Sequence, residues 1–204
     1  MIFNNEFILA SSSNSRYKIL KKNNLSFIRK KPICDEGFLK KKLIQQGSSI
    51  KKISLELARI KSKSVSGKNN NILVVGSDTV ISQNGHLLNK AKNMGEARKK
   101  IISIAGKSHV IYSSASVFYN NKEVWHATLK STIKIRSLSK KEIDSYLGVV
   151  GIKILSSVGC YHAEEMGPNI IENIKGDFYN VMGFPLFPFL TFVKKYKIKK
   201  QNEK

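Results

Sequence analysis

VVGSDTVISQNGHLLNK, residues 74–90, carries the densest structural signal in the chain. Ile72, Leu73, Val74 and Val75 form a short apolar run that stops at Gly76, and a lone carboxylate, Asp78, follows. A second β-type run, Thr79 to Ser82, leads into Asn84-Gly85 and a further run that ends at Lys90. Asn-Gly between two such runs predicts a tight hairpin, because both central residues of that turn need a positive φ. The pattern places an acid just past a buried strand and a lysine where the next strand returns. That pairing suits a site holding a metal ion and phosphate oxygens. A turn-capping Asp78 with a solvated Lys90 would leave the same pattern.

The bulk of the chain sets wider bounds. Its 204 residues are enough to bury a real core as one domain, with or without two lobes, and residues 1–204 are expected to form a single domain. Hydrophobic residues at 41% and charged residues at 25% are those of an ordinary globular protein. The formal net charge of +22, from 36 basic against 14 acidic residues, favours a polyanionic partner. The excess is mostly lysine, scattered along the chain, and arginine stands only at positions 16, 29, 59, 98 and 136. No aromatic-basic stripe of the kind that stacks unpaired bases is present, which argues against nucleic acid as the partner. Cys34 and Cys160 lie far apart without CxxC spacing, against a zinc site or a disulfide framework and for a reducing compartment. The N-terminus lacks the layout of a secretory signal, and no run approaches a membrane span. A cytoplasmic protein without membrane contact is the expectation.

Working outward from the hairpin, FILA (residues 7–10) reads as a strand, followed by a polar loop from Ser11 to Ser15 and a helix from Arg16. A Ser-rich turn entering a helix can cradle phosphate, because the first helical N–H groups are unpaired and the dipole is positive there. Arg16 would add a forked donor, although serine and asparagine equally suit a plain N-cap. A second strand is expected over Leu25–Ile33. It leads to Asp35-Glu36, an acidic pair suited to a divalent cation or to a turn neutralised by lysines. Helices are predicted over 38–46 and 49–66, with Lys61 and Lys63 near the end of the second, where the dipole favours them without any function. Beyond the hairpin, a helix over 94–105 ends at Gly106, strands over 109–119 and 123–136 flank Asn120-Asn121, and Ser139 with Glu142 forms a capping box. That helix is expected to end at Gly148. A strand within NIIENIKGD, a turn at 178–184 and a closing helix over 186–197 complete the chain, with 201–204 frayed. The class is mixed α/β: a partly antiparallel twisted sheet flanked by helices.

Taken in order, these motifs resemble the Maf-like nucleotide pyrophosphatases. The matching stretches are ILASSSNSRYKILKK, CDEG, LARIKSKS, the segment opened by VVGSDTV, EIDSYL, and VGCYHAEEMGPNIIENIKGDFYNVMGFPL. They are collinear over nearly the whole chain. The resemblance implies two lobes around a central cleft, as in the inosine-triphosphate pyrophosphatases. It also implies hydrolysis of nucleoside triphosphates to the monophosphate and pyrophosphate, clearing non-standard or excess nucleotides, with a suggested link to arrest of cell division. A divalent cation, Mg²⁺ or Mn²⁺, is implied, and a homodimer is usual in such families. By resemblance Asp78 is the proton acceptor for the attacking water, and Glu36 and Asp78 are the metal ligands. Ser11, Ser13, Arg16, Lys61 and Lys90 match substrate-binding positions. Such chemistry needs cations to neutralise the triphosphate, a positioned water and a carboxylate within reach of it.

The chain also departs from the family. Asn14 stands for the usual proline of the serine loop, Ser15 for its first arginine, and Ala91 for the proline after Lys90. Three positions by which subgroups select their base conflict. Ser15 matches neither group, Thr79 matches the thymidine and uridine triphosphate group, and Glu164 matches the 7-methyl-guanosine triphosphate group. The base stays open. Two alternatives stand beside an enzyme: a nucleotide- or nucleic-acid-binding regulator without turnover, and an inactive member of the family with an altered loop. His86, His109, His126 and His162 are dispersed in sequence and support neither a histidine metal site nor a triad, and Ser77 is expected in a turn.

Overall fold

A computed structural model of the chain describes residues 6–196. Seven strands form one mixed sheet: β1 (Phe7–Ala10), β2 (Phe27–Lys30), β3 (Leu73–Gln83), β4 (His86–Leu88), β5 (Ser108–Tyr119), β6 (Lys122–Ile135) and β7 (Ile171–Lys175). The order is β2-β1-β3-β5-β6-β7, with β4 added to β3. β1 runs parallel to both β2 and β3, and every other pairing is antiparallel. The hairpin is as predicted, with Asn84 at φ 49° and Gly85 at φ 82°. A second turn of the same kind, Asn120-Asn121 (φ 47° and 62°), joins β5 to β6.

The expectation of a strand broken at Gly76 is corrected. β3 runs through Gly76 and Asp78 for 11 residues, so Asp78 lies inside a strand and Ser77 lies in no turn. What breaks is one edge of it. β1 pairs with β3 only as far as Gly76, and β4 only from Ile81 on, while β5 covers the other edge from Val74 to Ser82. Residues 77–80 therefore face a gap in the sheet, with two hydrophobic halves on either side of it.

Among the described residues, seven α-helices flank the sheet: α1 (Asn14–Lys22), α2 (Glu36–Gln45), α3 (Ile50–Ser66), α4 (Met94–Ile104), α5 (Lys140–Val150), α6 (Phe178–Val181) and α7 (Leu186–Lys195). α2 and α3 cover one face, where Leu43, Ile53 and Leu57 meet Val80, and Val65 meets Val74. α1 and α7 cover one half of the other face through Ile19, Leu20, Phe189 and Val193, and α4 and α5 the other half through Ile101, Ile104, Ile143 and Leu147. The fit of α3 is close enough that a Cβ on Gly76 would lie 2.4 Å from the Ala58 carbonyl and 2.5 Å from the Ser62 nitrogen. Small residues at that crossing bring the helix backbone onto the strand.

Several boundaries move by a turn for identifiable reasons. α2 starts at Glu36 because the Asp35 carboxylate accepts the Phe38 N–H at 2.8 Å. The acidic pair therefore caps a helix instead of ending a strand. The strand predicted over 25–33 is only Phe27–Lys30, ahead of Pro32. The Ser139–Glu142 capping box forms as expected, but α5 passes Gly148 and stops at Val150, with Gly151 at φ 60° taking the turn. The predicted turn at 178–184 contains the short helix α6. The closing helix ends at Lys195, with Tyr196 extended beyond it where the helix was expected to continue; residue 197 and the frayed end expected at 201–204 lie outside the described residues. Cys34 and Cys160 are free thiols. Among the described residues, no helix is long and apolar enough to cross a membrane.

Candidate functional site

The gap beside β3 opens into a cavity of about 940 Å³. Strand alternation distributes its two walls: Asp78 points to the α2–α3 face, and Thr79 to the opposite face, against α1. All ten residues singled out from the sequence line this cavity, although they come from six separate segments.

On the first wall, a buried ammonium holds two carboxylates. Lys61 Nζ lies 2.6 Å from Asp78 Oδ1 and 2.9 Å from Glu36 Oε2. Lys61 is 6% exposed, so the reading of it as a lysine favoured only by the helix dipole is corrected. It reaches Asp78 because α3 crosses β3 at Gly76, two residues earlier. Ser54, two turns earlier on the same face of α3, donates to the Asp78 carbonyl at 3.2 Å and fixes the strand. Two oxygen-donor side chains within 3 Å of one nitrogen form a set that suits Mg²⁺ or Mn²⁺, which take one or two carboxylates and complete their shell with water and phosphate oxygens. No group of three or more His, Cys, Asp or Glu residues comes together among the described residues, so the substrate would have to supply the rest.

On the second wall stands the serine loop. Ser13 caps α1, accepting the Arg16 N–H at 3.4 Å. Ser11 Oγ accepts from the Ser13 N–H at 3.2 Å and from Arg16 Nη1 at 3.3 Å, which leaves its own proton to donate. Arg16 is buried and largely engaged within the protein. Its Nε donates to the Gly183 carbonyl at 2.9 Å and its Nη2 to Thr79 Oγ1 at 3.0 Å. Burial pulls its pKa down, and the charges of Asp78 and Glu36 pull it back up. The forked phosphate ligand expected of Arg16 is thus first a strut, with two of its five N–H donors left over. The Gly183 carbonyl also accepts from Ser77 and Thr79, tying α1, β3 and the α6–α7 link together.

Sequence reasoning missed three residues here. Arg29 on β2 clamps the outside of the serine loop, donating to the Ser11 carbonyl at 2.9 Å, to Asn14 Oδ1 at 3.0 Å and to the Ser12 carbonyl. Lys40 on α2 reaches Asn89 Oδ1 at 2.8 Å, and Lys100 on α4 holds the Asn89 and Val158 carbonyls. Arg29 had a signal: arginine is scarce in this chain, and Arg16, Arg29, Arg59 and Arg98 all make multiple side-chain contacts. The two lysines had none, being two among many.

The remaining residues lie at the far end and the mouth. Lys90 and Glu164 are exposed, and no partner among the described residues engages either side chain. Ser15 is half-buried on the first turn of α1. The loop that carries Glu164 is anchored underneath by Tyr161, whose hydroxyl meets His109 Nε2 at 2.6 Å in the core. Burial lowers the His109 pKa to about 4 and raises that of Tyr161. At the surface of the same loop, Glu165 approaches Lys18 at 3.8 Å and His162 at 3.3 Å.

The family model described as Maf-like protein matches residues 6–196. The chain is 36% identical over 184 residues to the 7-methyl-GTP pyrophosphatase of Bartonella quintana, covering 90% of this chain and 92% of that protein. It is 34% identical to the 7-methyl-GTP pyrophosphatase of Rhizobium meliloti over 184 residues, 90% of this chain and 92% of the relative. It is 31% identical to the nucleoside triphosphate pyrophosphatase of Caulobacter vibrioides over 186 residues, 91% and 93% of the two chains.

Proposed function

The chain belongs to the Maf-like protein family, and from that premise we propose that it hydrolyses nucleoside triphosphates to the monophosphate and pyrophosphate. The observation that carries this reading is the Glu36–Lys61–Asp78 cluster, set in one cavity with the serine loop. Asp78 accepts the proton of the attacking water as the new bond to phosphorus forms, and the α–β anhydride bond breaks to release pyrophosphate. The buried Lys61 ammonium fixes the orientation of the Asp78 carboxylate and neutralises charge beside the reacting phosphoryl group. Ser11 and the first N–H groups of α1 donate to phosphate oxygens. Glu36 and Asp78 would hold a divalent cation, which when bound neutralises phosphate charge and lowers the pKa of a bound water.

For the base, we favour 7-methylguanine. The Thr79 hydroxyl is occupied by Arg16, Ser113 and Gly183, whereas the Glu164 carboxylate stands open to the cavity and complements a cationic N7-methylated ring. Relatives named 7-methyl-GTP pyrophosphatase support the same choice. Pyrophosphate release from 7-methyl-GTP, TTP, UTP and CTP, with Mg²⁺ or Mn²⁺, tests both parts. The largest kcat/KM is expected for 7-methyl-GTP. A preference for TTP and UTP would return selection to Thr79, and no release from any substrate would overturn the enzyme.

A further inference from the structure

The cations of the cavity are unequally committed. Lys61 is offset by two carboxylates, Arg16 spends three donors inside the protein, and Lys18 approaches Glu165. Lys40 differs. It is half-buried, lines the cavity, and among the described residues its ammonium meets only a neutral partner, Asn89 Oδ1 at 2.8 Å. A half-withdrawn ammonium that gains no counter-ion bears a desolvation cost with little return. Its pKa is lowered by burial first, with the charge of Asp78 opposing and Lys100 adding to the fall.

Position gives this charge a direction. Glu36 and Lys40 are four residues apart on α2 and so share the face that looks into the cavity. Glu36 joins the Lys61–Asp78 pair, and Lys40 sits four residues on, about 6 Å along the same helix. There it meets Asn89, the neighbour of the unpaired Lys90, and Lys100 anchors Asn89 to the opposite side. Lys40 and Lys90 therefore line the same cavity on either side of Asn89, next to the Glu36–Lys61–Asp78 cluster in the chain's own α2 register.

We propose that Lys40 binds the terminal phosphates of the substrate and the departing pyrophosphate, its Nζ exchanging Asn89 Oδ1 for phosphate oxygens when the ligand enters. The inference rests on the pyrophosphatase reading for its substrate but concerns a residue that reading does not use. Magnesium pyrophosphate binding, measured by calorimetry on the wild-type chain and on Lys40→Met, Lys40→Gln and Lys40→Arg, tests it. Lys40→Gln keeps a donor for Asn89 but loses the charge, and Lys40→Arg keeps the charge. Lys40→Met and Lys40→Gln are expected to weaken binding by about tenfold or more, the cost of one charged hydrogen bond, and Lys40→Arg by no more than about threefold. Should Lys40→Met not fold, the Gln and Arg variants decide alone. Wild-type affinity in Lys40→Gln, or no pyrophosphate binding by the wild type, would overturn the proposal. Turnover of the wild type is measured in parallel: binding that depends on Lys40 without any turnover would sink the hydrolase reading and leave this one standing.

Discussion

The two ends of the cavity are built on different principles. At the end proposed to bind phosphate, the lining side chains come from the sheet, the helices packed on it and the serine loop, and Lys61 is buried between two carboxylates. At the end proposed to select the base, Glu164 and its neighbours ride on a loop whose contacts at the surface are long and solvent-exposed. A phosphate group is the same in every substrate, so a rigid arrangement can serve all of them. A base varies, and an exposed loop can change one side chain without disturbing a core. The contrast predicts that damage to the first end lowers the rate for every nucleotide, while damage to the second redistributes rates among them.

The largest effect belongs to the phosphate end. Asp78→Asn should lower kcat by about 10²–10⁴-fold for all substrates alike, with Lys61 still paired to Glu36 and the melting temperature nearly kept. Pyrophosphate release with a thermal melt checks both halves, and near wild-type turnover would remove Asp78 from the chemistry. Next comes the core beneath the base loop. The imidazole of His109 titrates at about 4 in the fold against 6.5 when free, so below pH 6.5 the unfolded chain takes up a proton that the folded chain refuses. Its contribution is complete above pH 6.5, is lost as the pH falls to 4, and amounts to about 3 kcal/mol. Urea unfolding of wild type and His109→Gln at pH 7 and pH 4 should show a shallower loss in the variant; parallel losses would refute the assignment.

Gly76→Ala ranks third. The added methyl meets backbone atoms of α3, which cannot rotate away, so overpacking of about 1–3 kcal/mol is expected. Because α3 also carries Lys61, the same variant should slow turnover of every substrate, and a variant that loses stability alone would separate the helix fit from the site. Glu164→Gln should leave stability unchanged and reduce the preference for 7-methyl-GTP over TTP by about tenfold, the value of one ionic contact to a base. An equal fall for all substrates would erase the distinction between the two ends. The smallest effect is expected of Lys18→Ala. The Lys18–Glu165 pair, with side chains 61% and 50% exposed, should be worth less than about 1 kcal/mol in a melt.

Elements with a local cause were legible in the sequence. Asn84-Gly85 needs no distant contact to form a turn, and Ser139 and Glu142 complete their capping box within one helical turn. The stop at Gly148 was misplaced because a glycine near a helix end is only one way to finish it, and the positive φ went to Gly151. The strand break at Gly76 was misplaced for a different reason. That glycine serves a helix from another part of the chain, and the sequence around it carries no trace of Ala58 or Ser62 as neighbours. The local pattern offered only the helix dipole as a reason for Lys61 on the same account, since its burial depends on where α3 crosses β3.

The sequence by itself determined the identities and the order of the groups: a serine loop before a helix, an acid just past an apolar run, a lysine after a hairpin, and a collinear match to one family. Periodicity, turn chemistry and capping act over a few residues, and these features need no more. Tertiary structure alone decided that Lys61 stands between Asp78 and Glu36, that Arg16 braces the wall it was expected to leave, and that Lys40 is left with a neutral partner. Each of those facts depends on burial and on neighbours tens of residues away, where the balance between desolvation and pairing is set by packing and not by local sequence.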